Sequence, residues 1–300
     1  MYPLTYTEPV FRPPSEWKSL ILQVTNGCSW NRCSFCEMYS AENKKFKPKK
    51  IDLIEKEIIS IARSGLPVGR VFLADGDAMM LPFNRLKEIL QLIKQHLPQV
   101  TRVSSYCLPR NLTNKTVEQL SELQQLGLKL MYVGCESGDN EVLEIIDKGE
   151  TYESSLIALK KIKHSGMKSS VMILNGLGGP ELSKQHAINS ARLMNEAQPD
   201  FLSTLVVNFP LGEERFAKGF TDRQYQPFRL LNQPELFHEM KLLLEELALD
   251  KTVFRSDHAS NYLVLKGILG KDKDKLLNTV QMAINQTGNI PLRQEWERGL

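Results

Sequence analysis

The feature that most constrains the fold is an alternation of short β-branched runs with longer amphipathic segments along the first two thirds of the chain. This alternation is typical of βαβ units and predicts a parallel sheet with helices outside it. Six units can be counted, with strands predicted at 20–25, 70–74, 101–106, 129–135, 168–174 and 201–207. A closed TIM barrel needs eight units, so we predict an α/β fold with an open six-unit (β/α)6 partial TIM barrel.

The helical segments and a change of pattern near Pro210 indicate how the chain is divided. Apolar periodicity predicts helices at 51–63, 84–97, 183–197, 234–247 and 273–285. After Pro210 the βα rhythm ends in a Gly- and charge-rich connection. We therefore expect an N-terminal extension (1–18), the partial barrel (19–212) and a C-terminal helical cap on the substrate side (213–300).

Composition excludes several classes of protein. The chain has 300 residues, of which 42% are apolar and 24% charged, so it is neither disordered nor collagenous nor disulfide-dense. Its formal charge of +3 gives no global field that would favour nucleic acid or an acidic membrane. No apolar run approaches the roughly 20 residues of a membrane span, and the first residues do not resemble a signal peptide. We expect a cytoplasmic protein with no membrane partner.

Three of the five cysteines, Cys28, Cys33 and Cys36, fall within nine residues directly after the first predicted strand. Such a cluster in a chain of this size indicates a metal or redox site in a reducing compartment. Three thiolates can hold one iron–sulfur cluster or one zinc ion. A closed site needs a fourth ligand, for which Cys107 and Cys135 are the remaining cysteines. An open cluster, a closed iron–sulfur site and a zinc site are all compatible with this pattern.

This loop, with Phe35 before its last cysteine, resembles that of the radical S-adenosylmethionine (SAM) superfamily. The resemblance implies that Cys28, Cys33 and Cys36 bind three irons of a [4Fe–4S] cluster, that SAM chelates the fourth iron, and that Phe35 packs near the adenine. The spacing here is C-x4-C-x2-C, whereas the family usually has C-x3-C-x2-C. The longer spacing also occurs in plant-type ferredoxins, which leaves a non-catalytic iron–sulfur protein as the alternative.

Two further strand ends resemble elements of the same family. The second predicted strand runs into LADGDAM, where Asp75, Gly76 and Asp77 stand in place of the family's Gly-Gly-Glu motif. The resemblance implies that this backbone and acid receive the methionine amine of SAM. The fourth strand runs into VGCESG, similar to an element of the branch containing coproporphyrinogen oxidases and methylthiotransferases. There Glu136, followed by Ser137, would bind the ribose hydroxyls.

The last two matches concern the carboxylate and the adenine of SAM. Lys148 lies twelve residues after Glu136, where that branch commonly has an arginine for the methionine carboxylate. A lysine supplies the charge but not the bidentate fork. The fifth strand runs into NGLGGPE, where the resemblance implies that Gly176 and Gly178 allow close backbone approach to the adenine. The acidic residue that the family often has on this strand is absent, and Asn175 is the nearest polar substitute.

The resemblance implies an oxygen-sensitive enzyme that cleaves SAM reductively to a 5′-deoxyadenosyl radical, which abstracts hydrogen from an unidentified substrate. It also implies a one-electron reductant of the flavodoxin or ferredoxin type. A small-molecule or tetrapyrrole-type substrate is favoured over RNA, because neither a second cysteine cluster nor an RNA-binding module is visible. The lysine-rich run 44–50 is expected to be a solvated face, or a contact for an anionic substrate or RNA. The polar stretch 254–267 is expected either to line the substrate side or to begin a helix at Ser256 or Asp257.

Overall fold

The computed structural model describes residues 4–209, 212–223, 225 and 228–298. Its strands are β1 (Leu20–Gln23), β2 (Thr25–Asn26), β3 (Lys47–Pro48), β4 (Arg70–Ala74), β5 (Arg102–Cys107), β6 (Leu128–Glu136), β7 (Lys168–Asn175), β8 (Phe201–Val206), β9 (Val253–Ser256) and β10 (Leu265–Ile268). Its α-helices are α1 (Ile51–Arg63), α2 (Phe83–His96), α3 (Val117–Gln125), α4 (Asn140–Ile145), α5 (Tyr152–His164), α6 (Gly179–Ala197), α7 (Glu214–Thr221), α8 (Gln233–Glu246) and α9 (Leu269–Ile284).

Eight of these strands form one sheet in the order β1-β4-β5-β6-β7-β8-β9-β10, while β2 and β3 form a separate antiparallel pair. The pairs β1/β4, β4/β5, β5/β6, β7/β8 and β8/β9 are parallel, and β9/β10 is antiparallel. Within the described residues the order runs from β1 to β10 without closing on itself. A mostly parallel, open sheet with helices in its crossovers confirms the predicted α/β partial-barrel class.

All six predicted strands are present, as β1, β4, β5, β6, β7 and β8, but the C-terminal region differs from its prediction. It contains helices α8 and α9 as expected, but the predicted connection also holds helix α7, and two strands, β9 and β10, extend the sheet. The predicted alternative of a helix starting at Ser256 or Asp257 is wrong, because Ser256 ends β9. Both strands have only four residues and carry a charged residue in the middle, Arg255 or Lys266. No described helix has both the length and the apolarity to cross a membrane.

The chain divides into two compact units, and the first comprises Met1–Asn31, Met38–Val133 and Ala158–Ser169. Its N-terminal segment is fixed to the sheet by Glu16, whose side chain is fully buried. Arg102 of β5 and the Tyr132 hydroxyl of β6 each donate to Glu16 at 2.7 Å. Burial raises the pKa of Tyr132, so its hydroxyl stays protonated as a donor. Part of the predicted N-terminal extension therefore belongs to the packed first unit.

The second unit comprises Arg32–Glu37, Gly134–Ile157 and Ser170–Leu300. Its apolar core joins residues of α4, the ends of β7 and β8, and α7. The buried members are Val142, Leu143, Ile145, Ile146, Leu174, Leu177, Leu182, Val207, Phe216 and Phe220. Phe35 packs against this cluster as a partly buried side chain. The short cysteine segment 32–37 is thereby fixed to the second unit. The domain boundaries drawn from the sequence stay a prediction.

Candidate functional site

In the first unit, the acidic element directly after β4 contains a buried ion pair. The side chains of Asp75 and Lys44 are both fully buried, and the Lys44 ammonium donates to Asp75 Oδ2. The same ammonium donates to the Thr7 carbonyl at 2.8 Å. Sequence reasoning expected the lysine run 44–50 to be solvated or to bind an anion, and for Lys44 this is wrong, because its partner is Asp75.

Asp77, two residues further on, is buried and bonded to the cysteine loop. The backbone N–H of Ser29 donates to Asp77 Oδ2 at 3.3 Å, and the Ser29 hydroxyl donates to the same oxygen. Burial raises the pKa of the Asp77 carboxyl above its ordinary value, although the hydrogen bonds from Ser29 oppose that shift. Because Ser29 follows Cys28, Asp77 ties the cysteine-bearing loop to the end of β4.

Gly76, between these two acids, is required by the same loop. A Cβ atom at Gly76 would lie 2.4 Å from the ring of Tyr39, which follows the three cysteines along the chain. Any larger residue would displace that ring. The Asp-Gly-Asp element therefore accommodates Tyr39 with its glycine while its acids bond Lys44 and Ser29.

In the second unit, the element after β6 contains another buried pair. Glu136 ends β6 with φ at +64°, and its Oε1 accepts a hydrogen bond from Lys148 at 3.1 Å. Burial disfavours the Lys148 ammonium, but Glu136 and the thiols of Cys33 and Cys36 raise the pKa of Lys148 above its ordinary value. The ammonium also lies 5.6 Å from the ring centre of Phe35. Lys148 is therefore a buried cation with two cysteines in its electrostatic neighbourhood.

The cysteine segment of the second unit is held by backbone contacts on two sides. The Cys36 N–H donates to the Cys33 carbonyl at 3.1 Å, which makes a tight turn. The Ser34 N–H donates to the Ile146 carbonyl at 2.8 Å. From α7, Arg215 donates to the Cys33 carbonyl. Sequence reasoning missed Arg215, because 182 residues separate it from Cys33 and no local pattern marks it.

The hydroxyl of Ser137, predicted to bind the cofactor, is engaged within the protein. It lies 2.8 Å from Nδ1 of His186 on α6 and accepts the Asp139 N–H at 3.0 Å. Ser137 and His186 are both buried. Ser137 thus connects the end of β6 to α6, and His186 is a second residue that the sequence did not single out.

Contacts within the protein also explain the glycines of the element after β7. Gly176 has φ at +82°, which favours glycine, and its N–H donates to Glu239 at 2.6 Å. A Cβ atom at Gly178 would lie 2.9 Å from the backbone of Leu182. Asn175 borders a cavity of about 20 Å³ together with residues of α8 and of the β9–β10 connection. Close approach of an adenine to these glycines stays a prediction.

Cys107 and Cys135, the candidate fourth ligands of a closed metal site, are buried. Burial raises the pKa of the Cys135 thiol to about 12. Among the residues described here, no three His, Cys, Asp or Glu side chains converge as a preformed metal cage. The ligand role of the three clustered cysteines therefore stays a prediction from their spacing.

Four predicted site residues share one feature: each keeps a buried oxygen that has no hydrogen-bond partner among the described residues. These atoms are Asp75 Oδ1, Asp77 Oδ1, Glu136 Oε2 and Asn175 Oδ1. An unpaired buried acceptor costs about 1–3 kcal/mol, and native proteins leave few of them. All four are acceptors that could receive donors from a bound molecule. The ammonium and hydroxyl groups of SAM are such donors, so the acceptors of each unit, two in the first and two in the second, are of a kind that fits the cofactor.

The profile of the Radical SAM superfamily matches residues 22–194, which is more than half of the chain. The chain belongs to the radical SAM superfamily. The matched segment contains every predicted site residue from Cys28 to Gly178. Radical SAM proteins carry a [4Fe–4S] cluster and bind SAM, so these are the cofactors of this chain and it is an enzyme of that class.

Individual relatives are distant. Over 183 residues the chain is 22% identical to the heme chaperone HemW of Bacillus subtilis, covering 58% of this chain and 47% of that protein. It is 20% identical over 156 residues to HemW of Buchnera aphidicola, covering 50% of this chain and 41% of that protein. This radical SAM chain thus spans less than half the length of either relative.

Solved structures agree in fold. The chain is similar to coproporphyrinogen III oxidase (HemN) of Escherichia coli with a TM-score of 0.57 at 18% identity, covering 76% of this chain and 52% of that one. It is also similar to the radical SAM methyltransferase TsrM of Kitasatospora setae, with a TM-score of 0.51 at 19% identity, covering 63% and 36%. At such identities the likeness concerns the radical SAM fold alone.

Proposed function

We propose that this chain binds a [4Fe–4S] cluster through Cys28, Cys33 and Cys36 and uses SAM bound at that cluster to abstract hydrogen from a small-molecule substrate. The observation that carries the proposal lies in the second unit, where Glu136 Oε2 and Asn175 Oδ1, at the carboxyl ends of β6 and β7, are buried and have no hydrogen-bond partner among the described residues. Sites in parallel α/β folds are built at these strand ends.

Each residue has a role that follows from its surroundings. Lys148 is cationic and buried, so it can receive the methionine carboxylate of SAM. Glu136 Oε2 can accept a ribose hydroxyl while its other oxygen holds Lys148. Asp77 Oδ1 can accept the methionine ammonium, whose charge would offset the penalty that burial imposes on this carboxylate. Phe35 supplies an apolar surface for the adenine.

When bound, the cluster and SAM supply reductive cleavage of the sulfonium and the radical that abstracts hydrogen. The chain's own residues bind, orient and shield these groups. The apolar core of the second unit, against which Phe35 packs, excludes water from that side.

Radical SAM enzymes need an electron donor, and we propose a flavodoxin- or ferredoxin-type reductant in the cytoplasm for this one. We propose a tetrapyrrole-type compound as the molecule that this chain binds, because two of its relatives are heme chaperones. Absorbance titration with hemin would test this directly. A Soret shift that saturates at one equivalent would support it, and a linear response would contradict it.

The proposal is tested by electron paramagnetic resonance of the anaerobically reconstituted and reduced chain, with and without SAM, together with iron and sulfide quantification. We expect a [4Fe–4S] signal that shifts when SAM is added. We expect Cys28→Ala, Cys33→Ala and Cys36→Ala each to abolish cluster retention, because three thiolates leave no spare ligand. Cys107→Ala is the matched control and should keep full iron. A [2Fe–2S] signal, a cluster indifferent to SAM, or zinc in place of iron would instead support the non-catalytic alternative.

A further inference from the structure

Helix α8 presents a buried carboxylate to the glycine-rich turn after β7. Glu239 is only 4% exposed, and its Oε1 accepts the Gly176 N–H at 2.6 Å. Burial raises the pKa of its carboxyl, and His186, Ser183 and the Gly176 N–H oppose that shift. A buried carboxylate is costly in a fold even with such partners, which points to a specific task.

That task is indicated by what Glu239 holds. Gly176 is the first residue after β7 and has φ at +82°. The turn closes on itself through the Gly179 N–H, which donates to the Gly176 carbonyl at 3.1 Å. The hydrogen bond from the Gly176 N–H to Glu239 adds a restraint from α8 on the direction in which the turn leaves the strand.

A second contact extends the restraint to α6, the helix that follows the turn. The Ser183 hydroxyl donates to Glu239 Oε2 at 2.5 Å. Three residues further along α6, His186 bonds the Ser137 hydroxyl at 2.8 Å. Through Ser183 and His186, helix α6 is thus bonded both to Glu239 of α8 and to Ser137, the residue that follows Glu136.

We propose that Glu239 is a positioning residue for SAM, and that its hydrogen bond to Gly176 holds the turn after β7 in the form that receives the adenosine portion. The inference rests on the proposed function and deepens it. It assigns part of the cofactor site to the C-terminal region, beyond the segment 22–194 that matches the family.

The test compares Glu239→Leu with Glu239→Gln in the full, anaerobically reconstituted chain. Leucine removes the acceptor and leaves the Gly176 N–H unpaired, whereas the glutamine oxygen can still accept it. We expect Glu239→Leu to weaken SAM binding about tenfold, or about 1.4 kcal/mol, and Glu239→Gln to stay within about twofold of the parent. Glu246→Leu, at an exposed position on the same helix, is the matched control and should change nothing.

Two readouts separate positioning from mere stability. Iron content should remain at the parent level in Glu239→Leu, and without SAM the Gly176 amide should exchange hydrogen faster. The inference is overturned if Glu239→Leu binds SAM like the parent, if Glu239→Gln loses as much as Glu239→Leu, or if iron and thermal midpoint fall together with affinity. If the parent itself binds no SAM, the proposed function fails, and Gly176 exchange still shows whether the contact with Glu239 exists.

Discussion

At the ends of strands β4 and β6, a buried carboxylate is paired with a buried lysine, but the surroundings of the two pairs differ. After β4, Asp75 is paired with Lys44, and at the end of β6, Glu136 is paired with Lys148. All four side chains are buried, and each carboxylate keeps one oxygen without a partner among the described residues. An ion pair of this kind neutralises a buried acid while leaving an acceptor available for a ligand.

The neighbours of the two lysines differ. Lys44 also donates to the Thr7 carbonyl, so it ties the N-terminal segment to the end of β4. Lys148 instead lies in the electrostatic field of Cys33 and Cys36 and near the face of Phe35. A buried carboxylate–lysine pair can therefore hold the fold in one place and prepare a binding site in another, depending on what else the ammonium faces.

The largest expected effect is on stability and concerns the β4 pair. Lys44→Met leaves Asp75 buried without its cation, and removing one partner of a buried pair costs about 3–5 kcal/mol. We expect this loss of unfolding free energy in urea denaturation.

Two further variants decide whether the unpaired charge is the cause. Lys45→Met, at the exposed neighbouring lysine, should stay within about 0.5 kcal/mol of the parent. Lys44→Met combined with Asp75→Asn should recover part of the loss, because no charge is then left unpaired. If the double variant loses as much unfolding free energy as Lys44→Met alone, the unpaired charge of Asp75 is not the cause.

The next effect is on cofactor binding and concerns the β6 pair. Lys148→Met removes a charge-assisted hydrogen bond worth about 1.5–3 kcal/mol, so we expect SAM binding to weaken at least about tenfold. It also leaves Glu136 buried without its cation, so the free energy of unfolding should fall as well. Lys148→Arg keeps the charge and should lose far less. Lys160→Met, at an exposed position of α5, serves as the control. SAM affinity is measured by equilibrium dialysis. If Lys148→Met binds SAM as tightly as the parent, the β6 pair does not prepare a binding site and no longer differs from the β4 pair in this respect.

Local periodicity made much of the fold predictable. Helix α1 has the predicted bounds, since Ile54, Ile58 and Ile61 recur at helical spacing and form its buried face. Strands β9 and β10 were missed, because four-residue strands with central charged residues carry no clear alternation. Their place in the sheet is decided by pairing with each other and with β8, which is non-local.

In the candidate site, too, the local elements could be predicted from the sequence and the non-local contacts could not. The elements after β4, β6 and β7 could be found from short motifs, because each is contiguous in sequence. Lys44 looked like part of a solvated run, and only the fold reveals that its ammonium meets Asp75. Arg215 and Glu239 lie 182 and 63 residues from their partners, so no motif could include them.

The smallest expected effect contrasts two acids of the β4 end itself. Burial raises the pKa of Asp77 from its ordinary value of 3.8, with Ser29 and Arg110 opposing the shift. A carboxyl whose folded-state pKa is raised binds its proton more tightly in the native state, so it takes stability away as pH rises through that range. Asp77→Asn cannot ionise and should lose less unfolding free energy than the parent between about pH 4 and pH 7.

Asp75→Asn should instead lower the free energy of unfolding, because it leaves the buried Lys44 ammonium without its carboxylate partner. Asp52→Asn, at an exposed position of α1, is the matched control and should leave the pH profile unchanged. Parallel profiles for Asp77→Asn and the parent would show that burial does not penalise the Asp77 carboxylate. Asp77→Asn should also bind SAM more weakly, because its amide oxygen can accept the ammonium of SAM but lacks the negative charge of the carboxylate. A gain in stability joined to a loss of affinity is therefore the expected signature of an acid kept at this position for its ligand.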